Sequence, residues 1–143
     1  IFEETGKRKL VVFSAFRASI AHLTQFFRDR KVKVGEIHGS VPHDQRAQLI
    51  RDFQDGDLQV LVIQPQSSAH GITLTASSTI VWYSLVPSGE IHVQANGRIT
   101  RAGQTRKQLI YYLIGCKAEK RILSLLQSKG DMSHRVLSLF EEI

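Results

Sequence analysis

Two arginines and a glutamine stand at spacings that a helix would bring to one face. Gln94, Arg98 and Arg101 lie four and three residues apart. In a helix of about 100° per residue they therefore point within roughly 60° of one another. Each guanidinium is permanently charged and presents a planar fork of donors, which suits anionic oxygens such as those of a triphosphate. A solvated basic helix face is the alternative interpretation.

Hydroxyl groups follow apolar segments at two other places in the chain. Ser14 ends the run Leu-Val-Val-Phe-Ser, where it is able to donate to a phosphate oxygen or to serve only as the end of a strand. Thr73 and Thr75 come just after Gly71. A glycine turn with hydroxyls beside it offers backbone N–H groups and side-chain donors to a phosphate without reading a base sequence.

The elements that must position these residues alternate between strand and helix patterns. Strands are predicted at residues 10–14, 32–37, 60–63, 79–83 and 108–113, and the apolar runs at 10–14 and 60–63 are typical of strands buried on both faces. Helical periodicity covers 17–30, with the apolar stripe Ile20, Leu23, Phe26 and Phe27, and it runs again from Pro42 to about Asp55. Pro87-Ser88 predicts the entry to the helix that carries the arginines. Residues 118–129 and 133–143 predict two amphipathic C-terminal helices.

This order predicts an α/β fold with a mostly parallel sheet of five or six strands and helices on both faces. Ligands of such open sheets bind in loops beyond the carboxyl ends of the strands, here the loops after Ser14, Ile37, Ile63 and Tyr83. At 143 residues the chain predicts a single domain, with 118–143 as a helical extension. Its start at Ile1, without Met, predicts a fragment of a longer protein.

Charge and cysteine content limit the partners and the compartment. Nineteen basic and 13 acidic residues give a net charge of +6, which favours an anionic partner. Cys116 is the only cysteine, so it indicates a reducing intracellular setting, in the cytoplasm or nucleoid. The six histidines show no metal-ligand spacing, and no metal site is predicted. No apolar run approaches the roughly 20 residues of a membrane span, so no membrane partner is expected.

The stretch from Gln94 to Gln104 closely resembles the sixth motif of superfamily 2 helicase-like ATPases, Gln-x-x-Gly-Arg-x-x-Arg, and its Arg-Ala-Gly-Gln ending is similar to the Swi/Snf-type branch. Residues 10–16 resemble motif IV of that branch. Residues 64–77 resemble motif V, although Ser68-Ala69 stands where the chromatin remodellers have Gly-Gly, and Ala69-His70-Gly71 looks more like compact phage and prophage members. His38-Gly39-Ser40 with Arg46 and Phe53 is similar to the segment between them, where a structural role for Arg46 is favoured.

The resemblance covers roughly residues 8–126 and implies the second RecA-like lobe of such a motor. On it, Arg101 would be the arginine finger on the γ-phosphate, Arg98 a second phosphate or lobe-coupling contact, and Gln94 an interlobe hydrogen-bond partner. Gly97 and Gly71 would lie at the ATP site or the interlobe surface. Ser14, Thr73 and Thr75 would contact the nucleic-acid backbone.

No phosphate loop and no acidic Mg²⁺-binding motif occur in the chain. ATP and Mg²⁺ would therefore be held mainly by an N-terminal RecA-like lobe, and this chain by itself is expected to be inactive. The function implied is the C-terminal motor lobe of a DNA-dependent ATPase that translocates on duplex DNA. An RNA-directed superfamily 2 helicase lobe, and a non-catalytic nucleic-acid-binding or scaffold domain with a degenerate motor fold, are the alternatives.

Overall fold

Strands and helices alternate in the computed structural model, which describes residues 8–68, 72–127 and 135–138. The strands are β1 (Leu10–Phe13), β2 (Val34–Ile37), β3 (Val60–Ile63), β4 (Thr79–Trp82), β5 (Leu109–Ile114) and β6 (Arg135–Ser138). The helices are α1 (Arg17–Asp29), α2 (His43–Gln54), α3 (Gly89–Asn96) and α4 (Lys117–Gln127). Pro65–Ser68 forms a short 3₁₀ helix.

The six strands form one sheet in the order β2-β3-β1-β4-β5-β6, and every neighbouring pair is parallel. All residues of β1, β3 and β4 are buried, as expected for inner strands that are covered on both faces. The predicted α/β fold class, with helices on both faces of a parallel sheet, is confirmed. Within the described ranges, no helix is long and apolar enough to cross a membrane.

Successive side chains of β1, β3, β4 and β5 enter two different apolar layers. One layer, which includes Phe13, Leu61 and Trp82, is completed by Phe53 of α2, Ala95 of α3 and Leu123 and Leu126 of α4. The opposite layer, which includes Val12, Val62 and Val81, is completed by Ile20 and Phe27 of α1. The helix that leads to the arginines therefore packs on the same face as α2 and α4.

The apolar stripe predicted for α1 is correct for Ile20 and Phe27, which are buried, and wrong for Phe26, which is 46% exposed. The guanidinium of Arg30 stacks over the Phe26 ring at 3.6 Å from its centroid, which shields the ring on the surface. Thr24 is buried instead, and its one hydroxyl hydrogen is shared between the Ile20 carbonyl at 2.8 Å and the Glu36 carboxylate at 3.1 Å.

Two predicted helices differ from the structure. The helix predicted to carry both arginines ends at Asn96, with Gly97 as its C-cap. The prediction of a helix over residues 133–143 is wrong at Arg135–Ser138, because these residues form strand β6 and pair with β5. The rest of that segment lies outside the described residues. Without β6, the edge of β5 would present unpaired backbone N–H and C=O groups. Arg135–Ser138 pairs with these groups and therefore forms a strand, although its sequence pattern favours a helix. The helix predicted at 118–129 is present as α4 as far as the structure describes it.

Candidate functional site

Residues 97–104, here called the arginine turn, leave α3 and pack against the segment that leads into β4. The backbone N–H of Leu74 donates to the Arg98 carbonyl at 2.9 Å. The side-chain amide of Gln104 donates to the Ser77 carbonyl at 2.7 Å and to the Ile99 carbonyl at 2.8 Å. Gly103 has a φ of +99°, a left-handed conformation that glycine adopts without strain. The turn is therefore a fixed structure rather than a continuation of the helix.

Arg98 is buried in this turn, with only 5% of its surface exposed. Its Nε atom is buried without a hydrogen-bond partner among the described residues. Burial lowers the pKa of Arg98 below its ordinary value, and the neighbouring positive charge of Arg101 lowers it further. In the described part of the chain neither arginine forms an ion pair with an acidic side chain. Buried charges ordinarily have partners, so this guanidinium is suited to an anionic ligand.

Arg101 lies in the same turn and is exposed. The predicted common helical face of Gln94, Arg98 and Arg101 is wrong, because α3 ends two residues before Arg98. Arg101 nevertheless stands only three residues after Arg98 in the same turn, and its positive charge contributes to lowering the pKa of Arg98. Gln94 is partly exposed on α3, where its amide contacts Glu90 at 3.4 Å.

Gly97 marks the point where α3 gives way to the arginine turn. A Cβ atom at this position would lie 3.3 Å from the Val93 carbonyl oxygen and 3.4 Å from that of Gln94. These approaches are tight, so glycine lets the chain leave the helix close to its last turn. Gly71, which was predicted at the same site, lies outside the described residues.

Thr73 and Thr75 are partly exposed and flank Leu74, the residue that bonds to Arg98. The structure therefore brings both threonines beside the arginine turn. Gln54, the last residue of α2, fixes this segment: its amide donates to the Thr75 hydroxyl at 3.1 Å and its carbonyl accepts from the Ala76 N–H at 2.7 Å.

Ser14 belongs to a separate group at the carboxyl ends of β1 and β4. Its hydroxyl is fully buried, at 3.1 Å from the hydroxyl of Ser84, which also accepts from the Ala15 N–H at 2.7 Å. In this conformation Ser14 joins two loops and is not open to a ligand. Arg46 is likewise structural, because it donates to the carbonyls of Val41 and His38, both at 2.9 Å, rather than to an acid.

Sequence reasoning missed the residues that hold the site. In the sequence Gln104 is recognisable only as the end of a motif, and nothing indicates Gln54 or Ser84. All three are polar residues whose bonds reach 21 to 70 residues along the chain. In the described residues no group of histidines, cysteines or acids is arranged to hold a metal ion.

The parallel sheet with an arginine pair after the helix that follows β4 defines a RecA-like α/β lobe of the helicase type. Comparison with protein families agrees: residues 1–103 match the helicase conserved C-terminal domain, and the chain belongs to that family. The resemblance to the second lobe of superfamily 2 helicases is thereby confirmed, while the placement near phage and prophage members stays a prediction.

Curated relatives include proteins that act on DNA and on RNA. The chain is 29% identical over 135 residues to the ATP-dependent DNA helicase DDM1 of Arabidopsis thaliana, covering 92% of this chain and 18% of that protein. It is 29% identical over 133 residues to the human chromatin-remodeling ATPase INO80, covering 91% and 8%. The ATP-dependent RNA helicase DRS1 of Eremothecium gossypii is 32% identical over 120 residues, covering 83% and 16%. The chain thus spans less than a fifth of each of these relatives.

Solved structures share the fold. The C-terminal part of the Fun30 ATPase domain superposes with a TM-score of 0.79 at 23% identity, covering 88% of this chain and 41% of that one. The C-terminal domain of the DEAD-box protein Dbp5 gives a TM-score of 0.77 at 24% identity, covering 95% and 79%. At this level of identity the similarity concerns the fold alone.

Proposed function

We propose that this chain is the C-terminal motor lobe of a Swi/Snf-type, DNA-dependent ATPase that translocates on duplex DNA. In this proposal Arg101 and Arg98 complete an ATP site built mainly on an N-terminal RecA-like lobe of the same protein. One observation carries the proposal: Arg98 is a buried arginine whose Nε lacks a partner among the described residues, and a second, exposed arginine lies in the same turn. Two neighbouring cations that have no acidic partner in the described part of the chain suit the oxygens of a polyphosphate.

The two arginines have different environments, which indicates different tasks. Arg101 is exposed, so its planar fork is free to reach a γ-phosphate presented by another lobe and to stabilise the charge that develops on it. Arg98 is held by the turn and offers a fixed second positive charge behind it. Gln94 and Gly97 would lie at the surface between the lobes, with Gly71. The described residues offer no Mg²⁺ site, so the metal would be bound by the N-terminal lobe.

Nucleic acid would be bound through its backbone. The net charge of +6 attracts phosphates, and Thr73 and Thr75 are partly exposed beside the arginine turn. Ser14, whose hydroxyl is buried against Ser84, would contribute only indirectly, by joining the loop after β1 to the loop after β4. The similarity to the RNA helicase DRS1 makes an RNA-directed motor the second candidate. Stimulation of the intact protein's ATPase by duplex DNA but not by RNA is the result expected from the first candidate.

Arg101→Lys in the intact protein tests the proposed role of the arginine pair. Arginine fingers contribute about 10³- to 10⁵-fold to the rate, and lysine keeps the charge but loses the planar fork. We therefore expect ATP turnover to fall by about that factor, while DNA affinity changes little.

Arg106→Lys is the matched control, because Arg106 is an exposed arginine just after the turn. It should keep its turnover within about twofold of wild type, as for an ordinary surface residue. An Arg101→Lys enzyme with kcat within about threefold of wild type, far below the finger range, would remove Arg101 from the ATP site. An intact protein without any nucleic-acid-stimulated ATPase would favour a scaffold domain.

A further inference from the structure

Four buried polar side chains from three elements join in one hydrogen-bonded cluster next to the arginine turn. Trp82 is the last residue of β4, His92 and Asn96 belong to α3, and Tyr112 belongs to β5. All four are at least 96% buried. We call them the Asn96 network, because Asn96 bonds to each of the other three.

The bonds fix the orientation of the Asn96 amide. The Trp82 indole N–H donates to Asn96 Oδ1 at 2.8 Å. Because an indole nitrogen only donates, the oxygen of the amide must face Trp82 and its nitrogen must face the other two side chains. That nitrogen lies 3.2 Å from His92 Nε2 and 3.4 Å from the Tyr112 hydroxyl, which is itself 2.6 Å from His92 Nε2.

The position of α3 depends on such tertiary contacts. The helix has eight residues, fewer than the roughly 12 to 15 that an isolated helix needs to be even marginally stable in water. At its start, the Ser88 hydroxyl accepts from the Ile91 N–H at 3.3 Å. At its end, the Asn96 network ties it to β4 and β5. A buried polar network is satisfied in one arrangement of its members, whereas apolar packing tolerates several.

We propose that Asn96 is a positioning residue for Arg98 and Arg101. This inference rests on the proposed function of the arginine pair. Asn96 is the last residue of α3, and the turn is continuous with it: the Gly97 N–H donates to the Val93 carbonyl at 3.0 Å and the Arg98 N–H to the Ala95 carbonyl at 3.2 Å. A displaced end of α3 therefore moves both guanidiniums, and a misplacement of about 1 Å costs about 100-fold in rate.

The test compares Asn96→Leu, Tyr112→Phe and Arg101→Lys in the intact protein. Asn96→Leu keeps the approximate volume and removes the three bonds that Asn96 makes to the other members, while the bond between His92 and Tyr112 remains, so we expect kcat to fall about 10- to 100-fold. Tyr112→Phe removes one hydroxyl and should cause a smaller loss of kcat. KM for ATP and affinity for duplex DNA should stay within about threefold of wild type, because positioning acts on the transition state.

A spectroscopic readout shows whether the network itself has changed. Trp82 is the only tryptophan of the chain, so its emission in the 143-residue protein reports on its surroundings alone. We expect Asn96→Leu to shift this emission, because the indole N–H loses its acceptor. Thr24→Val is the matched control: it removes a buried hydroxyl that bonds to Ile20 and Glu36 on the opposite face of the sheet. It should leave both the emission and kcat unchanged.

The outcomes separate the positioning inference from the proposed function. If Asn96→Leu shifts the emission while the kcat of both Asn96→Leu and Tyr112→Phe stays within about twofold of wild type, far below the range expected for a misplaced group, Asn96 does not position the arginines. The same holds if Thr24→Val lowers kcat as much as Asn96→Leu does. If Asn96→Leu does not fold, Tyr112→Phe decides. An active Arg101→Lys enzyme would instead contradict the proposed function itself.

Discussion

Replacing Gln104 by alanine should lower the free energy of unfolding, because it removes the hydrogen bonds that hold the arginine turn. The Gln104 amide donates two short bonds, to the carbonyls of Ser77 at 2.7 Å and Ile99 at 2.8 Å, and approaches a third carbonyl, of Thr75, at 3.4 Å. A net value of about 0.5 to 1.5 kcal/mol for each short bond gives a loss of about 1 to 3 kcal/mol in the free energy of unfolding. The third, long contact adds little.

Urea unfolding of the chain, followed by Trp82 fluorescence, measures this loss. With a urea dependence of about 2 kcal/mol per molar, the midpoint should fall by about 0.5 to 1.5 M. Gln25→Ala is the matched control, because Gln25 makes one exposed bond, to Asp29 at 2.7 Å in the same helix. It should change the free energy of unfolding by less than about 0.5 kcal/mol.

Equal midpoints for Gln104→Ala and Gln25→Ala would refute the idea that this amide holds the turn. Gln104→Glu tests the same bonds and should also lower the free energy of unfolding. An ionised carboxylate has no hydrogen to donate, and its negative charge would face the carbonyl oxygens of Ser77 and Ile99. Protonation restores a donor, so the folded state raises the pKa of the introduced carboxyl. The destabilisation of Gln104→Glu should therefore be larger at neutral pH than at acid pH.

Three further predictions concern other parts of the molecule. Burial raises the pKa of Tyr112 to about 12, so one of the three tyrosines should ionise later than the others in a tyrosinate absorbance titration. The unfolded chain loses this proton near pH 10, so stability should hold below pH 10 and decline between about 10 and 12, and Tyr112→Phe should abolish that decline. Lys9→Met removes bonds to the carbonyls of Gly56 and Leu58, both 2.7 Å, and should lower the free energy of unfolding, measured by urea unfolding, by about 1 to 3 kcal/mol. Lys33→Met is the control, because the Lys33 side chain forms an exposed ion pair with Asp57, and it should change this free energy much less. Binding of the chain to duplex DNA should weaken with salt at a log-log slope of about −0.9 per phosphate neutralised, and an affinity independent of salt would contradict backbone recognition.

The strands were predictable because a short run of apolar residues can be buried in few ways other than as an inner strand of a sheet. Residues 60–63 and 79–82 contain apolar or β-branched side chains at every position, so both faces must be covered, which a parallel sheet between helices achieves. The helix α2 was equally predictable, since Pro42 marks its start and Asp55-Gly56 its end.

The detailed geometry of the site was not predictable from local patterns. The end of α3 and the course of the arginine turn are fixed by bonds between distant residues, such as Leu74 to Arg98 and Gln104 to Ser77. Nothing near Arg98 in sequence indicates that its guanidinium is buried. Asparagine is likewise a residue type that is usually found on the surface. Asn96 is buried because the side chains of Trp82 and Tyr112, from two strands, provide hydrogen-bond partners for its amide.

The strand order has a consequence for how the chain acquires its structure. β1 comes first in sequence yet lies in the middle of the sheet, where Leu10 pairs with Val60 and Val11 with Ile80. During synthesis from the amino end, β1 must wait for about fifty further residues before its first neighbour exists, at translation rates of about 5 to 20 residues per second. Pairings this distant also close large loops, which slows folding. A nascent chain therefore exposes this apolar strand for seconds, and chaperone binding or aggregation would compete with folding during that interval.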